Sequence, residues 1–188
     1  MQLLRSSLLL GAKSSQCLIL LELGLPSVAF LLKKKRVLYL HHLLTTDQSS
    51  LVSQVFQEQV RKSKSKDWVH SVIKDLEDLE IDLLFSQIAS IGKQPFKQLV
   101  KESCENACFK SLIKEKEKLS KGREIQYTNF ETQSYLMSDS DLSVEIMRKI
   151  YHLRCRELPL KANFPSSFQD KMCPIPKCMN EDTQRHIF

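Results

Sequence analysis

Apolar positions recur along this chain at helical spacing, with short polar breaks between the runs. Residues 14–23 form a short apolar block ended by Gly24, which predicts a helix stopped by a glycine. A second helix is predicted to begin near Pro26, because proline is tolerated in a first turn. It continues through Phe30, Leu31, Val37, Leu38, Leu40, Leu43 and Leu44, with Lys33–Arg36 in its middle as a stripe rather than a tail. Residues 49–61 give a third amphipathic helix through Leu51, Val52, Val55, Phe56 and Val60. A basic linker, residues 61–66, follows. Asp67 is the expected N-cap of a helix carrying Trp68, Val72, Ile73, Leu76 and Leu79.

Residues 81–92 predict a short helix punctuated by Gly92 and Pro95. The clearest pattern covers 96–119, where Phe96, Leu99, Val100, Cys104, Ala107, Cys108, Leu112 and Ile113 make a stripe of three-and-four spacing. A further short helix is expected over 128–136. A last one, capped by Ser140, is expected over 141–157 on Leu142, Ile146, Ile150 and Leu153. From Pro159 the periodicity is lost and four prolines fall between 159 and 176. The predicted organisation is therefore a start of 1–13, a helical region of 14–158 and a distinct tail of 159–188. The fold class is all-α, an irregular multi-helix bundle with a short Cys/His tail.

Composition narrows this further. The chain has 188 residues, 42% of them hydrophobic, which suffices for one domain or two small ones. That apolar content is too high for a disordered chain. Only 4 Gly and 6 Pro argue against a β-sandwich or a Gly-rich phosphate-binding enzyme. The formal net charge is +6, from 28 Lys plus Arg against 22 Asp plus Glu. Six cysteines are too sparse for a small disulfide scaffold. The apolar N-terminal region is interrupted by Arg5, Lys13, Glu22, Gly24 and Pro26, so it matches neither a membrane span nor a secretory signal. An intracellular protein, nuclear or cytoplasmic, with thiols or metal-bound cysteines is expected.

The tail carries the most specific chemistry. Cys173 and Cys178 have four residues between them, and His186 follows eight residues on. Thiolate and imidazole are ligands that zinc prefers. The prolines inside the turn restrict its backbone and lower the entropy lost on ordering it. A structural site has four ligands, and three are visible. By contrast Cys104 and Cys108, on the apolar stripe, are expected in the core, where a free thiol packs well. Adjacent His41 and His42 point about 100° apart on a helix, so one is expected in the core and the other at the surface.

The basic runs Lys33, Lys34, Lys35, Arg36 and Arg61, Lys62, Lys64, Lys66 contain no acids, and they are the candidate phosphate contacts. Arg148, Lys149, Arg154, Arg156 and Lys161 could also contact phosphates. The lysines between 97 and 121 alternate with glutamates, which suits a solvated face. No sequence-reading element is visible.

A series of segments, in order, resembles the C-terminal region of non-LTR (LINE-type) retrotransposon reverse transcriptases. They are residues 21–30 (LELGLPSVAF), 34–44 (KKRVLYLHHLL), Asp67-Trp68 with 74–76 (KDL), 96–101 (FKQLVK), 125–127 (IQY), 153–156 (LRCR), 161–164 (KANF), and the tail from Cys173 to Phe188. The resemblance implies a post-polymerase helical module ending in a Cys/His zinc knuckle, with a role in holding RNA or DNA. Many members have two residues between the first cysteines, where this chain has four. The resemblance also implies a further Cys four positions after the histidine, just past Phe188, so an incomplete site is expected.

The chain contains no Asp-Asp pair of the kind a polymerase uses to hold two metal ions. No phosphate-binding glycine loop or serine elbow occurs either. No catalytic residue is therefore assigned, and neither an enzyme nor a small-molecule or membrane-binding protein is expected. The expectation is a non-catalytic fragment of a retrotransposon polyprotein that binds RNA or DNA without sequence preference. Two alternatives stay open: a helical protein-interaction or structural domain, and a decayed transposon copy with no function.

Overall fold

A computed structural model describes residues 14–62, 67–119, 125–137 and 140–154. Among the described residues the protein is all-helical. The helices are α1 (Gln16–Leu23), α2 (Val28–Thr45), α3 (Leu51–Arg61), α4 (Trp68–Asp78), α5 (Phe85–Ser90), α6 (Lys93–Glu117) and α7 (Val144–Arg154), with one 3-10 turn at Ser134–Leu136. The chain divides into two compact units. One is Leu25–Ser111; the other joins the two ends, Met1–Gly24 and Leu112–Phe188. The tail of 159–188, with the change of character expected at Pro159, lies outside the described residues.

In the Leu25–Ser111 unit, α2 packs against α3, α4 and α5. Its N-cap is Ser27, so Pro26 precedes the helix rather than entering its first turn. Val37 and Leu40 from α2, Val72 from α4, Ile88 from α5, and Phe96 and Val100 from α6 are fully buried in one cluster. Each such burial stabilises the fold by roughly 1.5–3 kcal/mol relative to exposure. Trp68 joins three elements, with Tyr39 edge-on at 5.8 Å and Phe56 edge-on at 6.2 Å. Helix α6 runs antiparallel to α2. Ser27 N–H donates to Cys108 Sγ at 3.4 Å, Cys104 Sγ donates to Phe30 O at 3.4 Å, and His41 stacks on Phe96 at 4.7 Å.

Several boundaries differ from the periodicity. Helix α6 starts at Lys93, three residues before the expected start, because Pro95 falls in its first turn and needs no N–H acceptor there. Helix α5 is only Phe85–Ser90; ahead of it the Gln87 side chain accepts from Leu84 N–H at 2.8 Å. Asp67 occupies the N-cap position of α4 without a side-chain cap bond. That helix ends with Glu80 at φ 57°, where Ile81 N–H reaches Leu76 O at 2.9 Å and Glu80 N–H reaches Glu77 O at 2.9 Å. This is the paired closure that usually has glycine at the left-handed position.

The unit of the chain ends is built around α1, buried from Cys17 to Glu22. A helix leaves its last carbonyls without partners. Here Gly24 N–H turns back to Leu20 O and Leu21 O, Gln133 N–H donates to Glu22 O at 2.9 Å, and Thr132 Oγ1 donates to Leu23 O at 2.9 Å. Residues 131–133 therefore close α1 rather than forming the helix expected over 128–136; the helical part is only the turn Ser134–Leu136. Helix α7 is capped by Ser143, whose Oγ accepts from Ile146 N–H at 3.4 Å, and not by Ser140. Its buried side centres on Tyr151, fully buried, while Ile146, expected in the stripe, is exposed.

Gly24 sits at φ 58°, and a Cβ there would lie 2.5 Å from Thr132 N and 2.8 Å from Glu131 Cα. Both the backbone conformation and the close approach require glycine. Gly24→Ala is expected to destabilise this unit by roughly 2–4 kcal/mol in urea unfolding, combining left-handed strain with overpacking. A change within experimental error would contradict the capping role assigned to 131–133.

Candidate nucleic-acid interface

The basic run of α2 is not the free row of cations that its sequence implies. Lys33 Nζ pairs with Asp78 at 2.6 Å. Arg36 forks onto Asp75, with Nε at 2.5 Å and Nη2 at 2.8 Å from the two carboxylate oxygens. Asp75 is 3% exposed, and that fork occupies both of its carboxylate oxygens. The hydrogen bond to Asp75 holds the Arg36 proton more firmly than usual, against a smaller opposing effect of burial. The expectation that this run lacks compensating acids is thus corrected: the acids come from α4. Lys34 and Lys35, between the two paired residues, have no carboxylate within ion-pair distance among the described residues.

The second run is corrected in part as well. Arg61 and Lys62 both reach Glu58, each at 3.0 Å, in an exposed cluster at the end of α3. Lys64 and Lys66 lie outside the described residues. So do the expected zinc ligands Cys173, Cys178 and His186, along with Cys155, Arg156 and Lys161. Among the described residues no group of three or more His, Cys, Asp or Glu is placed to hold a metal.

Other basic residues sort clearly. Lys149 pairs with Glu145 at 2.9 Å. Lys110 Nζ lies 2.6 Å from Glu80. Lys116 donates to Ile125 O and approaches the Tyr127 ring. Lys93, Lys97 and Lys101 of α6 are exposed, with no ion-pair partner among the described residues, and the glutamates of α6 do not pair with its lysines.

Arg154 is committed elsewhere. Its Nε donates to both oxygens of Glu22, at 3.0 and 3.1 Å, and Glu22 is fully buried. Tyr127 OH donates to Glu22 Oε1 at 2.6 Å, and Tyr135 OH to Oε2 at 2.7 Å. Burial opposes the charge on Arg154, but the adjacent Glu22 carboxylate outweighs it and raises the guanidinium pKa. Glu22 looks like an interruption in the sequence; nothing local marks it as the centre of a four-residue cage.

The thiols follow expectation where they are described. Cys104 and Cys108 are buried, and Cys17 is buried too. Burial pushes the Cys104 thiol up, while Lys34 and Lys33 oppose this. Such a thiol is a packing residue rather than a nucleophile. His41 and His42 split as expected: His41 is buried with Nε2 2.9 Å from Ile91 O, and His42 is exposed.

A groove of about 700 Å³ lies within the Leu25–Ser111 unit, between α2 and the α5–α6 corner. Leu38, Ile91 and Phe96 supply apolar lining; Lys93, Lys97 and His42 line it as well, and no carboxylate does. Lys93 was absent from the candidates found by sequence, because a single lysine before a proline carries no pattern.

The described residues define an all-helical protein, and no single helix among them is long and apolar enough to cross a membrane. Compared with protein-family models, curated proteins and solved structures, the chain matches none.

Breaking the α2–α4 pair should show its weight. Arg36→Ala is expected to lower stability by roughly 2–4 kcal/mol, because it leaves the Asp75 carboxylate buried without a partner; the wet side of Arg36 keeps the figure at the low end for buried pairs. Adding Asp75→Asn should recover much of that loss in a double-mutant cycle. No recovery would show that the arginine acts through packing alone.

Proposed function

We propose that this chain is a non-catalytic helical module that holds RNA or DNA by its phosphates, without reading sequence. We propose further that it derives from the C-terminal, post-polymerase region of a non-LTR retrotransposon reverse transcriptase. The observation that supports nucleic-acid binding is the set of six lysines in one unit, Lys34, Lys35, Lys74, Lys93, Lys97 and Lys101, that lack ion-pair partners among the described residues. A phosphate that meets such a lysine releases a counterion and displaces no protein carboxylate. Lys33 and Arg36 would have to give up Asp78 and the buried Asp75 first, so they contribute field rather than contacts. On this reading Arg61 and Lys62 bind by exchanging Glu58 for phosphate, together with Lys64 and Lys66. The protein then works inside the cell, in the nucleus or cytoplasm, where its ligand is.

Cys173, Cys178 and His186 are proposed to hold zinc in the tail. Thiolates and imidazole suit that ion. A second reading, a protein-interaction domain, is favoured by the outer face of α3, where Leu51, Val52 and Val55 are 74%, 50% and 51% exposed.

Salt titration of binding to duplex and single-stranded oligonucleotides tests the main proposal. The log–log slope is expected to be about −3 or steeper, and Lys34→Ala with Lys35→Ala should make it shallower by roughly one to two. A flat slope would sink the proposal. For the tail, native mass spectrometry of the full chain should find one zinc, lost or weakened in Cys178→Ser. Full binding retained in that variant would overturn the ligand assignment.

A further inference from the structure

We infer that the groove between α2 and the α5–α6 corner takes one unstacked nucleotide of a single strand, with its base inward and its phosphate on Lys93 and Lys97. This rests on the nucleic-acid reading above and narrows its ligand to single strands.

Size and lining both favour such an occupant. About 700 Å³ falls in the range of ordinary small-ligand sites. The apolar part, from the half-buried Leu38, Ala89 and Ile91 with Phe96 behind them, suits the flat face of a base. The polar part is cationic. Lys93 and Lys97 are four apart, hence on one face of α6, both exposed and both without an ion-pair partner among the described residues. His42 adds a third nitrogen-bearing side chain. With no carboxylate in the lining, charge complementarity selects an anion, and the apolar lining selects one with an uncharged planar body. A nucleotide has both parts joined at the right chemistry. A duplex keeps its bases stacked and paired, so only a single strand offers one.

The two hydroxyls of the groove and His41 are already engaged, which bears on specificity. Thr45 Oγ1 donates to His41 O at 2.8 Å, Ser90 Oγ donates to Gln87 O at 2.8 Å, and His41 is tied to Ile91 O. That leaves the lysines, which serve the phosphate, rather than these groups to meet the base. The groove therefore accepts any base, in the way of single-strand binders that join a basic track to an apolar platform.

The test compares a short fluorescent oligothymidine with a duplex of equal length, using the full chain at one salt concentration. Single-strand affinity is expected to exceed duplex affinity by about tenfold or more, the size of one base's contacts. Filling the groove should erase that difference. Thr45→Trp does so from the exposed end of α2. Gly92→Leu does so from the other side, where a Cβ meets nothing nearer than Pro95 Cδ at 3.6 Å. Circular dichroism identifies which variant keeps its helix content, and either one suffices. Equal affinity for both oligonucleotides, or a single-strand preference untouched by a folded groove variant, would overturn this inference and leave phosphate binding standing. No binding to either oligonucleotide would overturn both.

Discussion

The fork between Arg36 and Asp75 sets how α2 is rotated in its unit, and the exposed chemistry of that unit follows from the rotation. Apolar residues are spread around α2 rather than gathered on one side, so burial alone selects its angle weakly. Two ion pairs remove the ambiguity. Lys33 and Arg36 are three apart on α2, and Asp78 and Asp75 are three apart on α4, so both pairs form together when the helices run antiparallel. With that face fixed, each residue between the pairs is turned by about 100° per step. Lys34 and Lys35 are thereby turned away from α4, and Leu38 is carried to the groove. The buried member, Asp75, has no alternative partner in water, which makes the geometry specific rather than merely favourable.

The unit of the chain ends solves a related problem with a different set of groups. Glu22 sits at the end of an apolar helix and is fully buried, so its two oxygens need several donors. Two tyrosine hydroxyls and one guanidinium supply them from residues more than a hundred positions later in the chain. The same later segment closes the end of α1 through Gln133 and Thr132. One short stretch thus satisfies both the side chain and the backbone of a helix end, and the glycine that lets it approach is part of the same solution. Arg154 is consumed by this arrangement. A cation that the sequence offers to phosphate is used to neutralise the protein's own interior.

Much of the helical pattern was legible because helices are local: three-and-four spacing identifies α3, α4 and α6 from neighbours alone, and a long run rich in leucine between Pro26 and Thr46 identifies α2. Failures came where a distant segment decides. The stretch 128–136 carries helix-compatible residues, but its backbone closes α1 instead. The start of α6 was misplaced because Pro95 reads as a break, although a first-turn proline is compatible with a helix. The acids that pair the basic run of α2 lie 39 and 45 residues downstream, beyond any local charge pattern. The groove was illegible for the same reason, since its two lysines become significant only opposite Leu38 and His42.

Charge balance shows the same distinction between sequence and space. Along α6 the lysines and glutamates alternate, which suggests mutual cancellation, yet none of the glutamates of α6 pairs with its lysines among the described residues. Lys110 turns to Glu80 and Lys116 to a backbone carbonyl, while Lys93, Lys97 and Lys101 stay exposed. At physiological salt a charge is felt over only about 8–10 Å, so a net +6 spread over 188 residues decides little. What decides the potential at a surface point is which cations nearby have already been answered. In this protein the answered ones, Lys33, Arg36 and Arg154, hold the fold. The unanswered Lys34, Lys35, Lys93, Lys97 and Lys101 belong to the same Leu25–Ser111 unit, two of them lining a groove without acid. A modest overall charge is therefore compatible with a locally basic face, and the placement of Asp75 and Asp78 is what divides structural cations from available ones.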